Sequence, residues 1–109
     1  MFLRGVIMGM CKVSGGISTV VGNRIKEVEG ETPNSRKTLS DFSGKRIQVR
    51  WFGPDGRAIR DRDFTNHGNS KRHPVVPHDH PWDWNNDPAR NEDWEYPDND
   101  KFNADEIDC

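Results

Sequence analysis

The clearest periodicity in the chain lies near its middle. Over residues 45–52, Ile47, Val49 and Trp51 alternate with Gln48, Arg50 and Phe52. Successive strand side chains point to opposite faces, so this alternation predicts a half-buried β-strand, and its β-branched and aromatic content agrees. Gly53-Pro54-Asp55-Gly56 follows. Proline presets φ at the first turn position and Gly56 can take the left-handed position that closes a hairpin. The returning strand is read over residues 57–64, with Ile59, Asp61 and Asp63 on one face and Ala58, Arg60, Arg62 and Phe64 on the other.

The flanks are less regular. Residues 1–22 are Gly-rich and apolar, readable as a short strand or an ordered arm. Residues 23–31 fit one or two helical turns, with Asn23 as N-cap and Gly30 as stop, or a strand. Residues 31–44 read as a loop with a turn of helix from Thr38 to Phe42. From Thr65 to Pro81 the density of Asn, Gly, Ser and Pro argues against a regular element, except for short extended pieces at Val75-Val76 and His78-Asp79-His80. Residues 85–109 lack periodicity, with Trp94 and Tyr96 as docking anchors.

These readings predict a small single domain, α+β or mainly β, built on a central β-hairpin over residues 46–64 with a Pro/His-rich loop packed across it. Residues 1–31 form an N-terminal arm, 32–84 the ordered body and 85–109 an acidic, partly disordered tail. With 109 residues and 31% hydrophobic content the core is small.

Charge divides the chain. Residues 1–78 hold 14 Lys and Arg against 7 Asp and Glu, a balance of +7, whereas residues 79–109 hold 2 against 11, a balance of −9. A basic body facing a polyanion, followed by an acidic tail, fits this asymmetry, as does a solvated terminus that maintains solubility. Cys11 and Cys109 make neither a disulfide framework nor metal-ligand spacing, which suits a reducing cytoplasm. The apolar opening MFLRGVIMGM is too short for a membrane span, so no membrane partner is expected.

All four histidines, His67, His73, His78 and His80, fall within residues 67–80. In an extended run His78 and His80 project to the same side and Asp79 to the other. Two chemistries use such a cluster. With His67 or His73 and a carboxylate from Asp61 or Asp63, the imidazoles offer nitrogen and oxygen ligands for Zn²⁺ or another divalent metal, the set His67, His78, His80 and Asp63 being one choice. Without a cofactor, histidines near neutral pKa can serve as base and acid in RNA cleavage, with His67 and His80 leading and His73 and His78 supporting. Asp61 or Asp63 would orient an imidazole, and Arg60, Arg62, Lys71 and Arg72 would hold phosphate. A purely structural alternative has the histidines and aspartates satisfying loop backbone, with Arg60 and Arg62 paired to carboxylates of the tail.

The run V-R-W-F-G-P-D-G-R-A-I-R-D-R-D-F-T-N-H-G-N-S-K-R-H-P-V-V-P-H-D-H-P-W resembles a small domain at the C-termini of bacterial polymorphic toxins and in phage-associated proteins of Gram-positive bacteria. The resemblance spans about residues 32–84, including Pro33-Asn34-Ser35, and H-P-x-x-P-H-x-H is its most specific part. It implies a nuclease-like effector domain acting in a host or target-cell cytoplasm, with Asp61, Asp63, His67, His73, His78 and His80 at the matching polar positions. The partner would be RNA or another nucleic acid. For a freestanding chain with an acidic tail the alternative is a phage-encoded, non-catalytic binding or inhibitor protein. It would act on a host protein or nucleotide ligand, with the tail imitating phosphate. No residue pattern fixes the oligomeric state.

Overall fold

The computed structural model describes residues 13–106. Cys11, Cys109 and the opening apolar segment lie outside the described residues. The fold is mainly β: five strands form one sheet in the order β1-β2-β3-β4-β5, and among the described residues there is no helix. The strands are β1 (Ile17–Val21), β2 (Arg36–Ser40), β3 (Arg46–Phe52), β4 (Ala58–Asp63) and β5 (His78–Pro81). Among the described residues no helix is long and apolar enough to cross a membrane.

β3 and β4 pair antiparallel, with Val49 opposite Arg62 and Arg50 opposite Asp61. Between them Gly53 N donates to Arg57 O at 2.8 Å, and Gly56 takes a φ of +78°. A Cβ at Gly56 would lie 2.4 Å from the Glu31 carbonyl oxygen, so both conformation and space demand glycine there.

Two local expectations give way. Residues 36–40 form β2, not the start of a helical turn, because Arg36–Leu39 ladder with Gln48–Trp51 on β3. Residues 23–31 form neither helix nor strand. β1 and β2 run parallel, and parallel neighbours need a long crossover. The chain between them supplies it, pinned where Arg50 donates to the carbonyls of Ile25 and Glu27, both at 3.0 Å, and Ala58 N donates to Val28 O at 2.8 Å.

The sheet is covered on both faces. On one, Val49 and Trp51 pack with Phe102 and Ala104, the Trp51 and Phe102 rings meeting edge to face at 5.3 Å. Residues 85–106, expected to be a loosely ordered tail, are therefore part of the body. Their aromatic and backbone groups complete a core that the strands alone leave open: Arg36 Nη1 donates to Asn103 O at 2.9 Å, and Glu95 exchanges two backbone hydrogen bonds with Asp79. The opposite face carries the crossover, Arg90 and the histidines.

Candidate metal centre

β4 and β5 pair antiparallel with Asp61 opposite His80 and Asp63 opposite His78. Directly opposed residues share a face, so alternation gathers Asp61, Asp63, His78 and His80 on one side and sends Arg60, Arg62 and Asp79 to the other. The connection from β4 to β5 then folds His67 and His73 over the first group. Each of the four histidines offers a ring nitrogen within 4.8 Å of the others', an arrangement able to hold a metal ion.

Hydrogen bonds assign the tautomers. His78 Nδ1 is 2.8 Å from the Val75 carbonyl and His80 Nδ1 is 2.9 Å from the Asn91 carbonyl. A carbonyl only accepts, so both rings carry a proton on Nδ1, and the neutral form of each presents its lone pair at Nε2. Those Nε2 atoms and Nδ1 of His73 are buried without a hydrogen-bond partner. Orphaned nitrogens of this kind carry a desolvation penalty unless a cation or a donor such as water meets them.

Asp63 is the other half of the geometry. Its Oδ2 lies 3.5 Å from His78 Nε2 and 3.4 Å from His80 Nε2. At these separations no hydrogen bond joins the atoms, and a carboxylate oxygen faces two nitrogen lone pairs. Ligands about 2.0–2.1 Å from a tetrahedral ion are about 3.3–3.4 Å apart, so Asp63 Oδ2 stands at co-ligand spacing from each of the two nitrogens. His67 stands differently: its Nε2 is 2.7 Å from Asp63 Oδ2, a hydrogen bond donated to the carboxylate, and 42% of its side chain is exposed. His67 also holds a φ of +56°, unusual for a residue with a Cβ.

The charges suit ligand chemistry. Burial, with the neighbouring His78 and His67, pushes the His73 pKa below the ordinary imidazole value. Burial and the Arg90 guanidinium do the same for His80, keeping both rings in the neutral form that binds metal. Burial acts to raise the Asp63 pKa, but Arg90, Gln48 and His67 outweigh it and hold the carboxyl below the usual range. Gln48 Nε2 donates to Asp63 Oδ1 at 2.7 Å. Arg90 donates from Nε to Asp61 Oδ2 at 2.7 Å and from Nη2 to Asp63 Oδ2 at 2.9 Å. Asp61 itself is clamped by Arg50 through two hydrogen bonds of 2.7 and 2.9 Å, which makes it a support for Arg90 and not a ligand.

The structure relocates two expected phosphate-binding residues. Arg60 and Arg62 are buried on the far face, where their Nε atoms each donate to Asp79 at 2.7 Å and Arg60 also pairs with Glu95. Two guanidinium cations there share the buried Asp79 carboxylate, and Glu95 balances the second charge, leaving neither guanidinium for a substrate. Lys71 and Arg72 are exposed, and Arg72 lines a depression of about 230 Å³ beside His67, His73 and His80. A larger cleft of about 510 Å³, lined by the crossover and the sheet, shares His67 and Arg90 with it. Sequence reasoning missed Arg90 and Gln48. The one available signal for Arg90 was its place as one of two cations among the eleven acids of residues 79–109. Comparison with family models, with curated proteins and with solved structures returns no match for this chain.

Proposed function

We propose that this chain is a divalent-metal phosphodiesterase acting on nucleic acid. His78, His80 and Asp63 would hold the ion with a fourth position left for water or substrate, His73 would stand beside it, and His67 would move protons at the solvent side of the site. The observation that carries the reading is the clustering of three buried, unpartnered histidine nitrogens, of which those of His80 and His78 lie 3.4 and 3.5 Å from the Asp63 carboxylate. Two histidines and a carboxylate with a fourth position open suit catalytic Zn²⁺, with other first-row ions next. When bound, such an ion polarises a phosphoryl oxygen and makes a nearby water acidic.

The chain's own residues supply the rest. The carbonyls of Val75 and Asn91 fix the two ligand tautomers, as outer partners of metal-bound histidines do. Arg90 and Gln48 orient the Asp63 carboxylate. His67 reaches solvent while holding Asp63, so its exposed ring can pass a proton to a leaving oxygen. Metal-free cleavage by His67 and His80 has less support, because His80 Nδ1 is spent on a backbone carbonyl and His80 is 1% exposed.

The binding-protein alternative asks the acidic segment to imitate phosphate. Glu95 and Asp105 of that segment are instead engaged by Arg60 and Arg46. Purified protein incubated with RNA and with plasmid DNA, with and without EDTA, tests the reading. Cleavage that EDTA and His78→Asn each abolish supports it. Full cleavage in EDTA refutes the metal, and no cleavage by folded, zinc-loaded protein transfers support to the binding alternative.

A further inference from the structure

The cleft of about 510 Å³ shares His67, Asp63 and Arg90 with the metal centre and extends away from it. Its walls differ in character. The half-buried Val28, with the edges of the buried Ile25 and Leu39, supplies an apolar wall, while Arg24 and Lys26 stand exposed at its rim on the crossover. Arg50, Arg60, Arg62 and Arg90 are each committed to a carboxylate. Among the described residues Arg24 and Lys26 take part in no ion pair, and Lys26 and Arg24 are the cations of the cleft free to meet an anion.

The smaller depression, lined by Arg72 and by Glu92, shares His67 and Arg90 with this cleft. A site for a lone nucleotide needs one such pocket. Two pockets meeting at the reaction centre, each with an exposed cation, suit a polymer that passes over His67. The candidate ligands His78, His80 and Asp63 are buried, so the phosphate must be carried down to them. A stiff duplex cannot do that without opening, whereas a single strand can bend and seat an unstacked base on the apolar wall.

From this geometry we infer that the cleft is the subsite for a single-stranded nucleic acid. Arg24 and Lys26 hold backbone phosphate on one side of the cleaved bond, Arg72 holds it on the other, and the nucleoside between lies against Ile25, Val28 and Leu39. The inference rests on the phosphodiesterase reading, and it adds a substrate class and residues outside the histidine cluster.

The test is fluorescence anisotropy of zinc-loaded protein with hydrolysis-resistant phosphorothioate single strands of RNA and DNA and with the matching duplex, over a salt series. Zinc content and the thermal transition are measured for each protein. The expected result is tighter binding of single strand than of duplex, with the RNA and DNA arms showing which sugar is preferred. R24A/K26A should keep its zinc and its fold yet bind about tenfold more weakly. Its salt dependence should fall by about 1.4 in the log–log slope, the share of two phosphate contacts on a single strand. Unchanged affinity and slope in R24A/K26A, or equal binding of duplex, overturns the inference. Failure of the underlying reading looks different: the wild-type protein would then bind no zinc and leave a small chromogenic phosphodiester intact, whatever its affinity for strands.

Discussion

Asp79 lies between two candidate metal ligands in sequence, yet its carboxylate works on the other face of the sheet, and Asp79→Asn separates the two faces experimentally. The fully buried carboxylate accepts from Arg60 Nε at 2.7 Å, from Arg62 Nε at 2.7 Å and Nη2 at 3.0 Å, and from the Asp98 backbone at 3.4 Å. Removing one partner of a buried ion pair costs about 3–5 kcal/mol, because the other charge stays buried. Here some compensation remains: Arg60 keeps Glu95, and Arg62 keeps Asn99 and the Asp98 carbonyl. The loss should therefore fall at the lower end, about 3 kcal/mol, a large part of the roughly 5–15 kcal/mol that holds a domain together. For a chain of 109 residues this is a fall of about 10–15 °C in Tm. Urea unfolding followed by tryptophan fluorescence measures it, with Glu29→Gln as control, since the exposed Glu29–Arg57 pair at 3.8 Å contributes under about 1 kcal/mol. Zinc content of the folded variant should be unchanged. A loss under about 1 kcal/mol, or loss of zinc without loss of stability, would refute the division of labour between the faces.

His80→Asn should weaken zinc binding by more than the roughly 10–100-fold that losing an outer partner costs, as read by competition with a chromogenic chelator. Arg90→Met frees two buried carboxylates from one guanidinium, but Asp61 keeps both Arg50 bonds and Asp63 keeps Gln48 and His67. Its cost by denaturant unfolding should be about 1.5–3 kcal/mol. Phe102→Ala removes the ring that meets Trp51 and lies under Arg60, and because Phe102 is half-buried the loss should be about 1.5–3 kcal/mol, below that of a fully buried ring.

What the sequence made legible was local. Alternation in residues 45–52 and 57–64 needs only neighbouring residues to express it, and the same period places His78 and His80 together with Asp79 opposite. The fold beyond that depends on distant partners. β2 is the five residues RKTLS, whose leading arginine is buried and donates to the carbonyl of Asn103, 67 positions away, so no local pattern marks it as a strand. The parallel pairing of β1 with β2 is likewise set by a crossover that lacks periodicity. Arg60 and Arg62 beside the histidines looked like phosphate ligands on proximity in sequence. Alternation already separated them from the histidine face and put Asp79 on theirs, a signal stronger than adjacency. The acidic composition of residues 85–106 suggested disorder, because composition does not reveal that Arg36, Arg46, Arg60 and Arg62 draw this segment onto the sheet.

The central claim is that buried histidine nitrogens and Asp63 form a metal centre. The most direct measurement is the zinc content of protein purified without chelator and then dialysed, by elemental analysis, together with its thermal transition before and after EDTA. The account predicts one zinc per chain, a transition lowered by EDTA and restored by added zinc, with about 2.7 kcal/mol regained at a free concentration a hundredfold above Kd. It also predicts no zinc in H78N/H80N. A folded wild-type protein that retains no divalent metal, or one whose zinc survives that double substitution, would contradict it.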